Sequence, residues 1–240
     1  MSDATPAPGA KFPACFSDRL YPVPIFFDIE TTGLKPESAG IVELCARVCP
    51  LFAEFYAASE AGASGAAAAV PPLMFASRVR PHCAIEADAQ KIHGISLESL
   101  SGAPTFAQMY PLFERFCVAV KRRFADRGAL LFVAHNAFGF DQPFLLRECA
   151  RHHISFMAST PCLFADSLFM LRQDFGMREP GTTALAKLAQ ARLGAQFVQT
   201  HRACDDVDTL IRVVANLQQE KPVYELLRKR AKQHNPTTFY

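Results

Sequence analysis

The chain has 240 residues, half of them apolar and 20% charged, with a net charge of +2. That is enough for one sizeable core but not two full domains, and the small net charge excludes a strongly basic, nonspecific nucleic-acid binder. No stretch reaches the roughly 18–20 uncharged apolar residues of a spanning helix, and the opening MSDATPAPGAKFPACFSD lacks a signal peptide's apolar centre, so the expected setting is intracellular, cytoplasmic or nuclear, not secreted and not membrane-bound.

Residues 1–22, rich in Pro, Ala and Ser, read as an irregular lead-in. VPIFFDIE follows, apolar, aromatic and too short for a helix, and reads as a buried strand. IVELCARVC (41–49) is a second strand and LMFASRVRP (73–81) a third. Between them, 53–72 is low in complexity and poor in large apolar residues after Tyr56, which favours an Ala-rich mobile loop. IEADAQKIHG is helical and ends at Gly94, with Glu86 and Asp88 on a solvated face. Phe106, Met109, Phe113, Phe116, Cys117, Val120 and Phe124 recur at helical steps, and Pro111 limits where that helix starts or kinks. ALLFVAH (129–135) is a buried strand, and DQPFLLRECARHH after it is a helix with Pro143 in its first turn. CLFADS (162–167) is a short strand leading into a helix that runs to about Gly176. Thr182 is positioned to cap TALAKLAQARLG. Val207, Leu210, Ile211, Val214 and Leu217 mark a last core helix.

Three strands followed by alternating helices and strands predict an α/β fold, a mixed sheet flanked by helices, over a domain of residues 23–218. Residues 219–240 form a basic C-terminal tail. Within it, 221–240 hold five basic residues against Glu225, a charge of +4, so the rest of the chain sums to −2. The tail suits either a local phosphate contact or a solvated helix end. The eight cysteines are scattered through apolar segments with no CxxC pair, which reads as buried reduced thiols.

Asp28 and Glu30 close the first strand two residues apart, so alternation sets both carboxylates on one face. Two such acids repel each other and are costly to desolvate unless a cation lies between them. A divalent ion that prefers hard oxygen, Mg²⁺ or Mn²⁺, answers both problems. The alternative is a strand end feeding the turn TTGLKP. A second group, His135-Asn136-Ala137-Phe138-Gly139-Phe140-Asp141, marks another strand-to-helix junction, where Asp141 also suits a helix N-terminus. A third, His201-Arg202-Ala203-Cys204-Asp205-Asp206, precedes the last helix. Either aspartate there suits an N-cap, and His201 stands in the polar run QTHRA rather than on an apolar face.

In order, DIETTGL, HNAFGFD and HRACDD resemble the three motifs of the DEDDh exonuclease family, which includes proofreading exonucleases, ribonuclease T and TREX-type repair exonucleases. The likeness extends to IVELCA, KIHGIS and CLFADSL, and so covers about residues 24–217. It implies an RNase H-like fold and a two-metal 3′→5′ exonuclease that releases nucleoside 5′-monophosphates. By match to the motifs, Asp28, Glu30, Asp141 and Asp206 would be the metal ligands and His201 the general base. Asp206 is preferred to Asp205 because the family places its last acid five positions after the histidine. Thr31, Thr32 and Leu34 would hold the terminal nucleotide, with Asn136 and His93 near the strand. The six positions from His135 to Asp141 are most similar to TREX-type spacing, which implies single-stranded DNA or 3′ ends of duplex DNA as substrate and, by analogy, a homodimer. The alternatives are an exoribonuclease on the same scaffold and a non-catalytic nucleic-acid-binding module.

Overall fold

The computed structural model describes residues 21–54, 73–124, 128–179 and 181–234. The expected lead-in up to residue 20, Cys15 and most of the Ala-rich loop lie outside the described residues. The strands are β1 (Val23–Thr31), β2 (Ile41–Val48), β3 (Met74–Arg78), β4 (Leu130–Ala134), β5 (Cys162–Asp166) and β6 (Lys232–Gln233). The helices are α1 (Ala87–His93), α2 (Phe106–Phe124), α3 (Asp141–Arg151), α4 (Ser167–Asp174), α5 (Leu185–Leu193), α6 (Ala203–Leu217) and α7 (Val223–Lys229).

The strands form one mixed sheet in the order β3-β2-β1-β4-β5-β6, as the α/β expectation requires. β1 pairs antiparallel with β2 and parallel with β4, and β4 pairs parallel with β5. β1 is therefore the central strand at which the direction of pairing reverses. In open α/β sheets such a strand's C-terminal end is where ligands gather. Alternation along β1 sends Ile25, Phe27 and Ile29 to one face and Phe26, Asp28 and Glu30 to the other. On the first face Phe27, Phe132, Phe164, Phe113 and Phe156 interlock. Phe27 meets Phe132 edge-on at 5.8 Å, Phe132 stacks on Phe164 at 5.4 Å, and α2 lays Phe113 against Phe132 at 6.2 Å. On the other face α6 packs against β1 and β2. Pro111 falls inside α2 without ending it, because it and Ala107, whose carbonyl loses its intrahelical donor, both face solvent.

Two expectations change. α5 starts from Ala184 with no side-chain cap, while the Thr182 hydroxyl donates 2.8 Å to the Glu179 carbonyl. The turn at Gly181, whose φ is +80°, claims that hydroxyl locally before the helix begins. The basic C-terminal segment packs onto the domain as far as residue 234, where the described residues end. α7 buries Val223, Tyr224 and Leu227, the Tyr21 hydroxyl donates to the Tyr224 carbonyl, and β6 pairs with β5. The apolar stripe of α7 draws the chain back onto the sheet despite its charge. Among the described residues, no helix is long and apolar enough to cross a membrane.

Candidate active site

The acids of the first and third motifs converge: ligand oxygens of Asp28, Glu30 and Asp206 all lie within 4.8 Å of one another. β1 supplies the first two and the first turn of α6 the third. The β1–β2 register shifts between Glu30 and Thr31, so the strand turns away just after presenting both acids. Asp141, at the first position of α3, acts on both: its charge is the largest electrostatic contribution on Asp28 and also bears on Glu30. Asp141 and Asp206 are 2% and 5% exposed, and Oδ1 of each is buried without a hydrogen-bond partner among the described residues.

Burial and mutual repulsion raise the acids' proton affinities together. Burial first, then Asp141, Glu30 and Asp206, hold Asp28 well above the usual carboxylate range. Burial and the Asp206 charge push Glu30 up to about 8, against a lowering pull from Arg202. Burial carries Asp141 to about 8, opposed first by its own backbone N–H and then by that of Ile29. Burial also raises Asp206, which Gln199 Nε2 partly offsets by donating 2.7 Å to Oδ2. Four crowded carboxylates, two with orphaned buried oxygens, form an all-oxygen donor set whose charge a divalent cation would neutralise. These residues fit a divalent cation that prefers hard oxygen ligands.

One residue escaped the sequence reading. Glu43 in β2 pairs directly with Glu30 across the strands and is 6% exposed. Its carboxylate accepts from Arg202 Nε at 3.1 Å, from a second guanidinium nitrogen, and from the Ala203 N–H at 3.0 Å. It thereby ties the start of α6 to the sheet. Burial would raise Glu43, but the Arg202 and Ala203 bonds win and hold it low. His201 lies immediately before this tie, with a left-handed φ of +52°. The family likeness extends to IVELCA between the motifs, but its glutamate gives no sign that it meets an arginine 159 residues away.

The first-motif turn is braced from within. The Thr31 hydroxyl donates 2.7 Å to the Gly33 carbonyl, and the Thr32 hydroxyl accepts from the Gly40 N–H at 2.9 Å. Leu34 at its tip is 78% exposed. A Cβ on Gly33 would collide with the carboxylate of Glu86, which is exposed as expected yet packs over the turn. His93 is buried; its Nδ1 accepts from the Ile95 N–H at 3.0 Å, which leaves Nε2–H to donate 3.2 Å to the Thr31 carbonyl. Both ring nitrogens are thus committed within the protein.

In the second motif, His135 is enclosed, with Nδ1 2.8 Å from the Ser167 hydroxyl and Nε2 2.7 Å from the Thr183 carbonyl. Asn136 is exposed at a φ of +67°. The Asp166 carboxylate fixes this loop by accepting from the N–H groups of Asn136 and Phe138, and it caps α4 by accepting from Leu168 and Phe169. The strand reading covered Asp166, but its capping role was not foreseen.

An exonuclease family model, RNase T, matches residues 70–214. The match takes in the second and third motifs and leaves Asp28 and Glu30 outside, although folding brings them to the same cluster. The chain is 28% identical over 198 residues to the exonuclease DPD1, chloroplastic/mitochondrial, of Arabidopsis thaliana, with 80% of this chain and 55% of that protein aligned. It thus spans about half the length of this curated relative. Among solved structures, the nuclease domain of 3′hExo, a DEDDh family member bound to rAMP, superposes with a TM-score of 0.61 at 14% identity, covering 90% of this chain and 97% of that one. Exonuclease X in complex with 5′-overhanging duplex DNA superposes with a TM-score of 0.54 at 17% identity, covering 86% and 98%. On the family match over residues 70–214, the chain belongs to the RNase T exonuclease family.

Proposed function

We propose that the chain is a 3′→5′ exonuclease that releases nucleoside 5′-monophosphates from the 3′ end of DNA, with Asp28, Glu30, Asp141 and Asp206 as ligands of two divalent cations and His201 as general base. The observation that carries this reading is the convergence of Asp28, Glu30 and Asp206 within 4.8 Å, with Oδ1 of Asp206 and of Asp141 buried and without a hydrogen-bond partner among the described residues. Bound Mg²⁺ or Mn²⁺ supplies Lewis-acid polarisation and charge neutralisation for an in-line displacement at phosphorus.

His201 accepts the proton of the attacking water, the role for which imidazole is suited near neutral pH. Glu43 and Arg202 support it by anchoring the next two residues. Leu34 offers an exposed apolar surface to the terminal base, on a turn that Thr31 and Thr32 hold rigid. Asn136 offers its amide to the sugar or phosphate. His93 acts through the Thr31 carbonyl rather than on the strand itself. An intracellular setting suits the free thiols of the described cysteines.

An exoribonuclease is the second reading, favoured by the rAMP in the neighbour of higher TM-score. The deciding assay incubates 5′-labelled single-stranded DNA and RNA of one sequence with Mg²⁺, Mn²⁺ or chelator and reads the product ladder. Metal-dependent stepwise shortening of DNA from its 3′ end is the expected result. Faster shortening of RNA moves the assignment to the second reading, and no shortening with either ion overturns both.

A further inference from the structure

We propose that Arg230 and Lys232, braced on Phe138 and Phe169, form the surface along which the single strand leading to the cleaved 3′ end lies. The inference rests on the exonuclease reading and deepens it by assigning a place to the rest of the substrate.

Lys232 Nζ stands 4.0 Å from the centroid of the Phe138 ring. Phe138 meets Phe169 edge-on at 6.0 Å, and the Arg230 guanidinium covers Phe169 at 5.9 Å. Cation, ring, ring and cation thus follow one another along a single strip. Its position ties it to the chemistry. Phe138 lies three residues before Asp141, in the loop at the C-terminal end of β4, and Asp166 at the end of β5 holds its backbone N–H. β6 runs beside β5, with Lys232 opposite Phe164, and delivers the lysine to that same end of the sheet.

The charges suit a polyanion. Asp174 grips Arg230 with both carboxylate oxygens and fixes that cation in place. Lys232 is exposed and has no carboxylate partner among the described residues, and Lys229 is exposed one turn away. The body of the chain sums to −2 while residues 221–240 carry +4, so a phosphate backbone is drawn to this segment. Phe169, 39% exposed, offers a ring to a base. Basic side chains interleaved with rings are how proteins hold single strands without reading sequence: bases stack on the rings and cations follow the phosphates. The competing account is that the strip merely glues α7 and β6 to the domain.

Binding of a fluorescent single strand of about twelve nucleotides, followed by anisotropy in chelator over a range of salt, separates the two. Lys232→Met should weaken binding and reduce the slope of log Kd against log salt by about 0.7, the loss of one phosphate contact on a single strand. Lys232→Arg should restore the slope. Phe169→Ala should weaken binding by roughly fivefold or more with little change in slope, since stacking releases no counterions. Arg122→Ala, at the far end of α2, is the control and should leave both unchanged. Unchanged affinity and slope in Lys232→Met and Phe169→Ala, with only a lower Tm, would overturn the proposal. Because nothing is cut in chelator, absence of cleavage with metal would count against the exonuclease reading and leave this result standing.

Discussion

Replacing Glu43 by Gln keeps the side chain's shape and removes the charge that Arg202 and the Ala203 N–H bind. Glu43 is 6% exposed, whereas the Arg202 side chain is 38% exposed, so solvent screens the Coulombic part of the pair. The loss therefore falls mainly on the hydrogen bonds, from Arg202 Nε at 3.1 Å and Ala203 N at 3.0 Å. A bond to a charged group contributes about 1.5–3 kcal/mol, and the Gln carbonyl can still accept one, so about 2 kcal/mol should go. For a chain of this size that lowers Tm by about 4–8 °C. Activity should fall further than stability. His201, at a φ of +52°, directly precedes the tie, and its relaxation moves the imidazole; a displacement of about 1 Å costs about a hundredfold in rate. The expected result is kcat about a hundredfold lower with KM nearly unchanged, from initial rates on a labelled strand beside a thermal melt. If Tm falls as expected while kcat stays within about twofold of the unaltered protein, the tie serves packing and the positioning argument fails.

Asp206→Ala should abolish cleavage without lowering Tm in chelator, since it removes one member of a mutually repelling cluster; retained activity would exclude Asp206 as a metal ligand. Glu30, raised from 4.5 to about 8, holds its proton to higher pH in the folded chain than in the unfolded one. Glu30's contribution to the stability of the metal-free protein should then be fullest below about 4.5 and fall as pH rises towards 8, and Mg²⁺ should reverse the fall. Melts of the unaltered protein and of Glu30→Gln across pH, with chelator or Mg²⁺, check this, and a difference between the two chelated proteins that stays constant between pH 5.5 and 8 would contradict it. A Cβ at Gly139 would come within 2.6 Å of Asn136 Oδ1 and displace that side chain, so Gly139→Ala should raise KM several-fold with little change in kcat. An unchanged KM would mean that Asn136 does not touch substrate.

Much of the fold is legible in the sequence because its elements follow local rules. β1, β4 and β5 are short apolar runs, α2 and α6 carry apolar residues at helical spacing, and Gly94 ends α1 at a φ of +70°. Asp28 and Glu30 were legible for the same reason, since alternation alone places them on one face. The local rule failed for Thr182, whose hydroxyl bonds within a turn.

Amino-acid order thus determined the strands, the helices and a set of ordered acids with one histidine. Tertiary structure decided which groups meet: Glu43 with Arg202, Asp166 with the loop after β4, His93 with the Thr31 carbonyl, and the basic C-terminal segment with the phenylalanines. The physical reason is range. Alternation, helical period and turn chemistry act within a few residues, whereas a buried carboxylate is stabilised by whatever donor the fold brings within 3 Å or so, however distant in sequence.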